Sequence, residues 1–514
     1  MTSLAHGSAP DASGASAATA ARAPRKRAIV VGAGIGGLAT AVRLAHAGYH
    51  VTVLERHGVP GGRAGVWKSE GFTFDTGPSL VMMTEVWRDL FAAVGRRLED
   101  YVTLVPCEPN YRLTFDDGTS LVMTTKLNDL LANLEAIEPG VTPRALEFLA
   151  YAGELYRRGL AFISRNMHEF TAMMDIRSLG FKYGPAALGD LQKLVRKYFK
   201  DKRLQQAFTF QSLYLGLSPY DSLAVYGLLA YTEIAGGIYY PMGGMHTLAR
   251  ALESLGRELG VEYRYGTPVT RLGTTGPLVT AVELAGGEAL TADVVVANAD
   301  LPYVNAKLLG TPLPRTETFE YSCSVVLLYL GVNRTYPEQY HHNLAVTADL
   351  EAGCRELFDE RRMPDEPPLY WVITTRTDAG QAPPGCDSIY VLALAPSQDP
   401  AHPIDWAVEG PKVADRTIAR MERLGMPGLR EHIVTQKVVT PDDFTANFGN
   451  LRGEAFGLAH NMRQIGWFRP HNRHDTLRNL YFVGQSTHPG CGLPMVLISA
   501  DLVTQRIRSE IPAS

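Results

Sequence analysis

Two kinds of periodicity divide the chain. From Ala28 a β-branched run, Ile29-Val30-Val31, leads into Gly32-Ala33-Gly34-Ile35-Gly36-Gly37, then apolar residues at helical spacing from Leu38 to Gly48, then Val51-Thr52-Val53-Leu54. The order is strand, glycine turn, helix, strand. Asn479 to Ile507 repeats the style with Leu480-Tyr481-Phe482-Val483, a Gly/Pro loop to Pro494, and an apolar helix from Met495. Two pieces of one domain are therefore expected at opposite ends of the chain. Between them, 128–240 is dominated by helical spacing and 261–298 by short alternating runs such as Val279 to Leu284, closed by Gly286-Gly287. Val325 to Leu330, Leu369 to Thr374 and Ile389 to Leu394 predict a sheet that floors a second domain. The expected fold class is α/β: a discontinuous Rossmann-type domain (27–127, 241–305 and 451–514) and a mixed-sheet second domain (306–450) with a helical insert (128–240).

Composition narrows the partners. The 514 residues carry 49 basic and 53 acidic side chains, a formal charge of −4, which lacks the positive field of a nucleic-acid binder. The five cysteines are scattered and never form C-x-x-C, so neither a disulfide framework nor a zinc site is expected, and the expected compartment is reducing. No apolar run reaches the roughly 20 residues of a spanning helix. The first 26 residues, rich in Ala, Ser, Gly and Thr, have no secretory apolar region and are expected to be a disordered tail. Phe181 to Arg203 reads as one basic amphipathic helix, with Lys193, Arg196 and Lys197 opposite Leu191, Leu194 and Val195. That pattern suits an anionic membrane surface, and equally an exposed helix with its apolar face on the core.

Gly32, Gly34 and Gly37 follow a predicted strand and open a helix, and Glu55 ends the next strand 18 residues after Gly37. That context is what a dinucleotide site requires: Gly32 for the tight turn, Gly34 for backbone approach to pyrophosphate, Gly37 for helix packing, and Glu55 for a ribose hydroxyl. Gly61-Gly62-Arg63 follows, then Phe72-Thr73-Phe74-Asp75-Thr76-Gly77-Pro78-Ser79. Arg63 can offset phosphate charge, and paired glycines let amides face an extended cofactor.

At these residues the chain resembles the flavin-binding amine oxidase and phytoene desaturase superfamily. The stretch Gly484-Gln485-Ser486-Thr487-His488-Pro489-Gly490-Cys491-Gly492-Leu493-Pro494-Met495-Val496 closely resembles the terminal signature of bacterial-type carotenoid desaturases. It departs at Gln485, where the family often has Ala or Gly, and Leu493 to Val496 looks more like the dehydrosqualene branch. The resemblance implies FAD, held by Gly32, Gly34, Gly37, Glu55, Arg56, Gly62, Arg63, Gly77, Pro78, Ser79, Val269, Gly484, Pro494, Met495 and Val496. It also implies desaturation of a lipid-dissolved carotene, phytoene first, with hydride passing to flavin N5 and a quinone or oxygen as final acceptor. The implied location is peripheral, on the cytoplasmic side of the cell membrane, with the membrane surface as a partner. A helix that starts at Pro494, Met495 and Val496 would stabilise charge collecting at the flavin N1 and C2 carbonyl edge.

No catalytic residue can be named. The implied acid-base stretch near Phe170 to Met173 has no Arg and Asp pair, His488 suits a loop anchor better than a base, and Cys491 suits a small filler. The pair His341 and His342 shows no ligand spacing with a carboxylate, and no metal is expected. The rival readings are a dehydrosqualene or later-step 3,4-desaturase, a carotene isomerase, a flavin amine oxidase, and a non-enzymatic binder like the GDP-dissociation inhibitors.

Overall fold

The computed structural model describes residues 25–168, 187–312 and 318–513. The expected tail up to residue 24, the stretch Phe170 to Met173, and 181–186 of the basic stretch lie outside the described residues.

The strand Arg27–Val31 is the centre of a five-stranded parallel sheet in the order Leu480–Phe482, Val294–Ala297, Arg27–Val31, His50–Leu54, Glu262–Arg264. Val294–Ala297 is buried at all four positions, as a strand covered on both faces must be. The chain runs outward to one side of Arg27–Val31 first and fills the other side later. This leaves a crevice at the carboxyl ends of the central strands, where open α/β sheets bind ligands. The helices Ile35–His46, His246–Glu258 and Leu493–Glu510 cover the sheet through Leu38, Leu252 and Val503, packed with Val30, Val53 and Val296.

A seven-stranded mixed sheet forms the second layer system, in the order Ile433–Val439, Ser324–Val332, Asp387–Ala395, Leu369–Ile373, His342–Ala345, Tyr111–Thr114, Ser120–Met123. One face packs on the helix Trp406–Arg423. The other shares a core with the helices Thr142–Ile163 and Leu228–Gly236, through Phe148, Ala152 and Ile234 against Leu327, Val372 and Tyr390. Two strands correct the expected boundary at residue 127. Tyr111–Thr114 pairs in parallel with His342–Ala345, so it and its hairpin partner Ser120–Met123 extend the second sheet and not the first.

The basic stretch is a second correction. Its described part is two short helices, Leu191–Val195 and Lys202–Ala207, because Asp190 and Asp201 each accept a backbone N–H as N-caps and restart the helix. Leu191, Leu194, Val195 and Phe199 are spent on the core, so no apolar face is left on this segment for a bilayer, while Lys193, Arg196 and Lys197 are exposed. Among the described residues no helix is long and apolar enough to cross a membrane.

Candidate active site

A single cavity of about 1660 Å³ runs from the crevice of the parallel sheet into the space between the mixed sheet and the helices. It exceeds the roughly 300–1,000 Å³ that one drug-sized ligand fills, and it has room for two ligands in line. Gly32, Gly34, Glu55, Arg56, Gly62, Arg63, Gly77, Pro78, Ser79, Val269, Gly484, Pro494, Met495 and Val496 all line it. Gly37 does not. A Cβ there would come within 2.2 Å of the Gly32 carbonyl oxygen, so its role is to let the helix close on the turn.

The turn is built for close approach. Gly32 has φ +101°, and a Cβ on it would lie 2.9 Å from the Asn298 carbonyl oxygen. The buried Glu55 carboxylate accepts the Ala33 amide at 2.7 Å on one oxygen and the His57 amide at 2.8 Å on the other. It clamps the turn to the end of the second strand, and each oxygen keeps a lone pair for a ribose hydroxyl.

Opposite the turn lies a group of buried charges. Arg63 donates to Asn450 Oδ1 at 2.8 Å and stacks over Phe448, and burial lowers its pKa against the pull of Asp300 and Glu454. Ser486 donates to one oxygen of Asp300, and burial raises the pKa of that carboxyl. Glu454 is raised by burial and by Asp300. Asp300 Oδ2 and Gln485 Nε2 are buried without a hydrogen-bond partner, and both residues line the cavity. Orphaned buried polar atoms are rare in native proteins, and an acceptor beside a donor fits the hydroxyl-bearing chain of a flavin dinucleotide. FAD therefore fits the residues present.

The closing helix begins at Leu493, two residues earlier than its apolar run suggests. The Val496 amide is taken by the Gly492 carbonyl, and Pro494 has no N–H, so the amides of Leu493 and Met495 are left at the helix mouth. The loop before it is held by Arg469, whose five N–H groups reach the carbonyl oxygens of Leu458, Ala459, Gln464, Gln485 and Thr487. His488 bonds the Ile163 carbonyl at 3.1 Å, and burial lowers its pKa to about 4. Cys491 is buried with its thiol raised to about 11, so it is not a thiolate at neutral pH.

The other end of the cavity is apolar, lined by Leu213, Leu229, Leu327, Leu344, Leu392 and Phe456 among others. Ser79 marks the junction, since its hydroxyl pairs with Tyr370 at 2.8 Å and Tyr370 in turn meets His342 Nδ1 at 2.9 Å. The structure also gathers Cys107, His341 and His342, with ligand atoms within 4.8 Å of one another. Sequence spacing missed this cluster. Edges of that length are wider than the roughly 3.5 Å that zinc bonds of 2.0–2.3 Å impose, and the cluster has no fourth ligand among the described residues.

Sequence reading also missed Asp300, Gln485 as a donor, and Arg469. Asp300 had a signal, because Asn298-Ala299-Asp300 follows a fully apolar strand at its carboxyl end. Arg469 had none, since its partners are backbone carbonyls.

Comparison with known proteins agrees with this site. A family profile described as flavin containing amine oxidoreductase matches residues 35–508. The chain is 47% identical over 487 residues to a zeta-carotene-forming phytoene desaturase of Myxococcus xanthus, covering 94% of each chain. It is 36% identical to a lycopene-forming phytoene desaturase of Pseudescherichia vulneris, covering 92% of this chain and 97% of that one. An oxidoreductase structure from Methanosarcina mazei superposes with a TM-score of 0.62 at 16% identity, over 93% of this chain and all of that one, which shows the shared fold.

Proposed function

Because the chain belongs to the flavin-containing amine oxidoreductase family, we propose that it is an FAD-dependent carotene desaturase whose substrate is phytoene. The observation that carries this reading is one continuous cavity, polar and glycine-lined at one end and hydrocarbon-like at the other. A substrate without heteroatoms offers nothing to hydrogen-bond, so only a long apolar channel can orient it.

Bound FAD supplies a two-electron acceptor that takes hydride from a saturated carbon. The chain does the rest. Glu55 and the glycine turn fix the ribose and pyrophosphate end, Asp300 and Gln485 meet the hydroxyl-bearing middle, and Leu493 and Met495 present amides at the helix mouth to the edge where negative charge collects. Leu327, Leu344 and Leu392 hold the polyene and exclude water.

The substrate enters from lipid. Leu188, Met462 and Phe468 line the cavity and are also 48%, 44% and 48% exposed, which makes an apolar rim at its mouth. This rim takes the membrane-facing role expected of the basic helix, with Lys193, Arg196 and Lys197 left as a peripheral electrostatic aid. The final acceptor is a quinone or oxygen.

Phytoene in liposomes with FAD and a quinone tests the reading. Products should lose hydrogen in two-unit mass steps without nicotinamide. Products of unchanged mass would instead indicate an isomerase, and strict dependence on NAD would contradict the reading as well.

A further inference from the structure

We propose that Glu233, acting through the Tyr214 hydroxyl, is the proton acceptor of the desaturation step, an assignment that rests on the carotene desaturase reading above. Desaturation removes a hydride and a proton from adjacent carbons, and the flavin accounts only for the first. The second needs a base in or behind an apolar channel.

Glu233 is fully buried on the helix Leu228–Gly236, directly after Thr232, which lines the cavity. One carboxylate oxygen accepts the Tyr111 hydroxyl at 2.8 Å and Gln211 Nε2 at 3.1 Å, while the other, Oε1, is buried without a partner. Asn110 fixes the Glu233 backbone by donating to its carbonyl at 2.7 Å. Tyr214 faces the same carboxylate, and its remaining accessible surface opens on the cavity. The carboxylate is thus aimed at the channel from behind one phenol.

Tyr214 is also close to the flavin end. A Cβ on Gly216 would come within 2.7 Å of the Phe456 ring, and one on the next residue of that segment, Gly457, would come within 2.9 Å of the Gln485 side chain. One side chain therefore separates the Tyr214 segment from the loop that carries Gln485.

The step balances. Hydride leaves one carbon for the flavin, the adjacent carbon gives its proton to the Tyr214 oxygen, and Tyr214 passes its own proton to Glu233. The electron pair of the second C–H bond becomes the new double bond.

Charge favours Glu233 over the other bases at the cavity. Taking a proton converts a buried anion into a neutral acid, and burial already holds the Glu233 pKa at about 7. Protonating His488 would instead create a buried cation that Arg469 opposes. The groups that act on Glu233 are Tyr111 from the strand Tyr111–Thr114 and Gln211 and Tyr214 from the segment Phe210–Leu215; Tyr370 from the strand Leu369–Ile373 also feels its charge. None of them is a cation that would hold Glu233 ionised.

Anaerobic bleaching of the FAD-loaded full chain by liposomal phytoene reads the step directly. Glu233→Gln and Tyr214→Phe should each slow bleaching about 100-fold or more, the range of a lost general base, with the flavin spectrum unchanged. The parent rate should rise with pH through about 7 as Glu233 loses its proton. That rise should vanish in Glu233→Gln and return in part in Glu233→Asp, which a structural role would not produce. Parent-like bleaching by flavin-loaded Glu233→Gln or Tyr214→Phe overturns the proposal, as does a pH step that persists in Glu233→Gln or moves with His488→Gln. If Glu233→Gln fails to hold FAD, Tyr214→Phe decides, because it keeps the packed ring. Failure of phytoene to bleach the parent at all would count against the desaturase reading and not against this relay.

Discussion

Replacing Arg469 by Lys should destabilise the FAD-loaded enzyme by about 2–6 kcal/mol. The guanidinium has five N–H donors and meets five carbonyl oxygens, at 3.1 Å (Thr487), 3.3 Å (Ala459), 3.1 Å (Gln464), 3.2 Å (Leu458) and 2.6 Å (Gln485). An ammonium has three donors, so at least two buried carbonyls lose their partner, at about 1–3 kcal/mol each. Arg469 is fully buried and is pulled down only to about 10, so it remains charged at neutral pH and the comparison is between two cations. Two of the five carbonyls, Gln485 and Thr487, belong to the loop at the flavin end of the cavity, so FAD affinity should fall together with stability. Urea unfolding of the full chain gives the first quantity, and flavin fluorescence on dilution gives the second. A Lys variant within about 0.5 kcal/mol of the parent, the range of neutral surface changes, with FAD retained, would show that the loop is held by something else.

Glu55→Gln places an amide NH₂ against one of the Ala33 or His57 N–H groups, and two facing donors should weaken FAD about 10- to 100-fold in an equilibrium titration. Glu454 has a raised pKa, so the folded chain binds a proton that the unfolded chain releases; apo stability should therefore fall as pH rises above the ordinary carboxylate range. Glu454→Gln should flatten that fall in pH-dependent unfolding, and parallel slopes would remove the group from the linkage. Met462→Ser with Phe468→Ser should reduce sedimentation with neutral-lipid vesicles while leaving FAD bound, and unchanged sedimentation would place the mouth contact elsewhere.

Features local in sequence were legible and those made at a distance were not. The strand, glycine turn and helix at Arg27–His46 are specified by neighbours within a few residues, and so is the clamp position of Glu55. The strands Ser324–Val332 and Asp387–Ala395 announce themselves as apolar runs because both faces are covered. Tyr111–Thr114 reads equally well as part of either sheet, and only its pairing with His342–Ala345, more than 200 residues on, decides. The basic stretch misled because hydrophobic spacing outlasts a helix break, while the Asp190 and Asp201 caps that make the breaks were not weighed. Arg63, Asp300 and Glu454 meet across hundreds of residues, and no spacing rule encodes such a meeting.

The order of the parallel sheet sets a timetable for synthesis. Its edge strand Leu480–Phe482 and the closing helix Leu493–Glu510 are translated last, yet the strand pairs with Val294–Ala297 and the helix packs on Ile35–His46 near the other end of the chain. A nascent chain that has reached residue 450 already carries both apolar sheets and the channel between them, but lacks the loop at Gly484 that completes the cofactor end. Until the final segment leaves the ribosome, that hydrocarbon-lined space is open on one side, and the chain is most exposed to holdase chaperones and proteases. Free FAD in the cell would then act as a late ligand that draws the finished chain into its folded state, so vitamin supply would govern how much enzyme survives as well as how much is active.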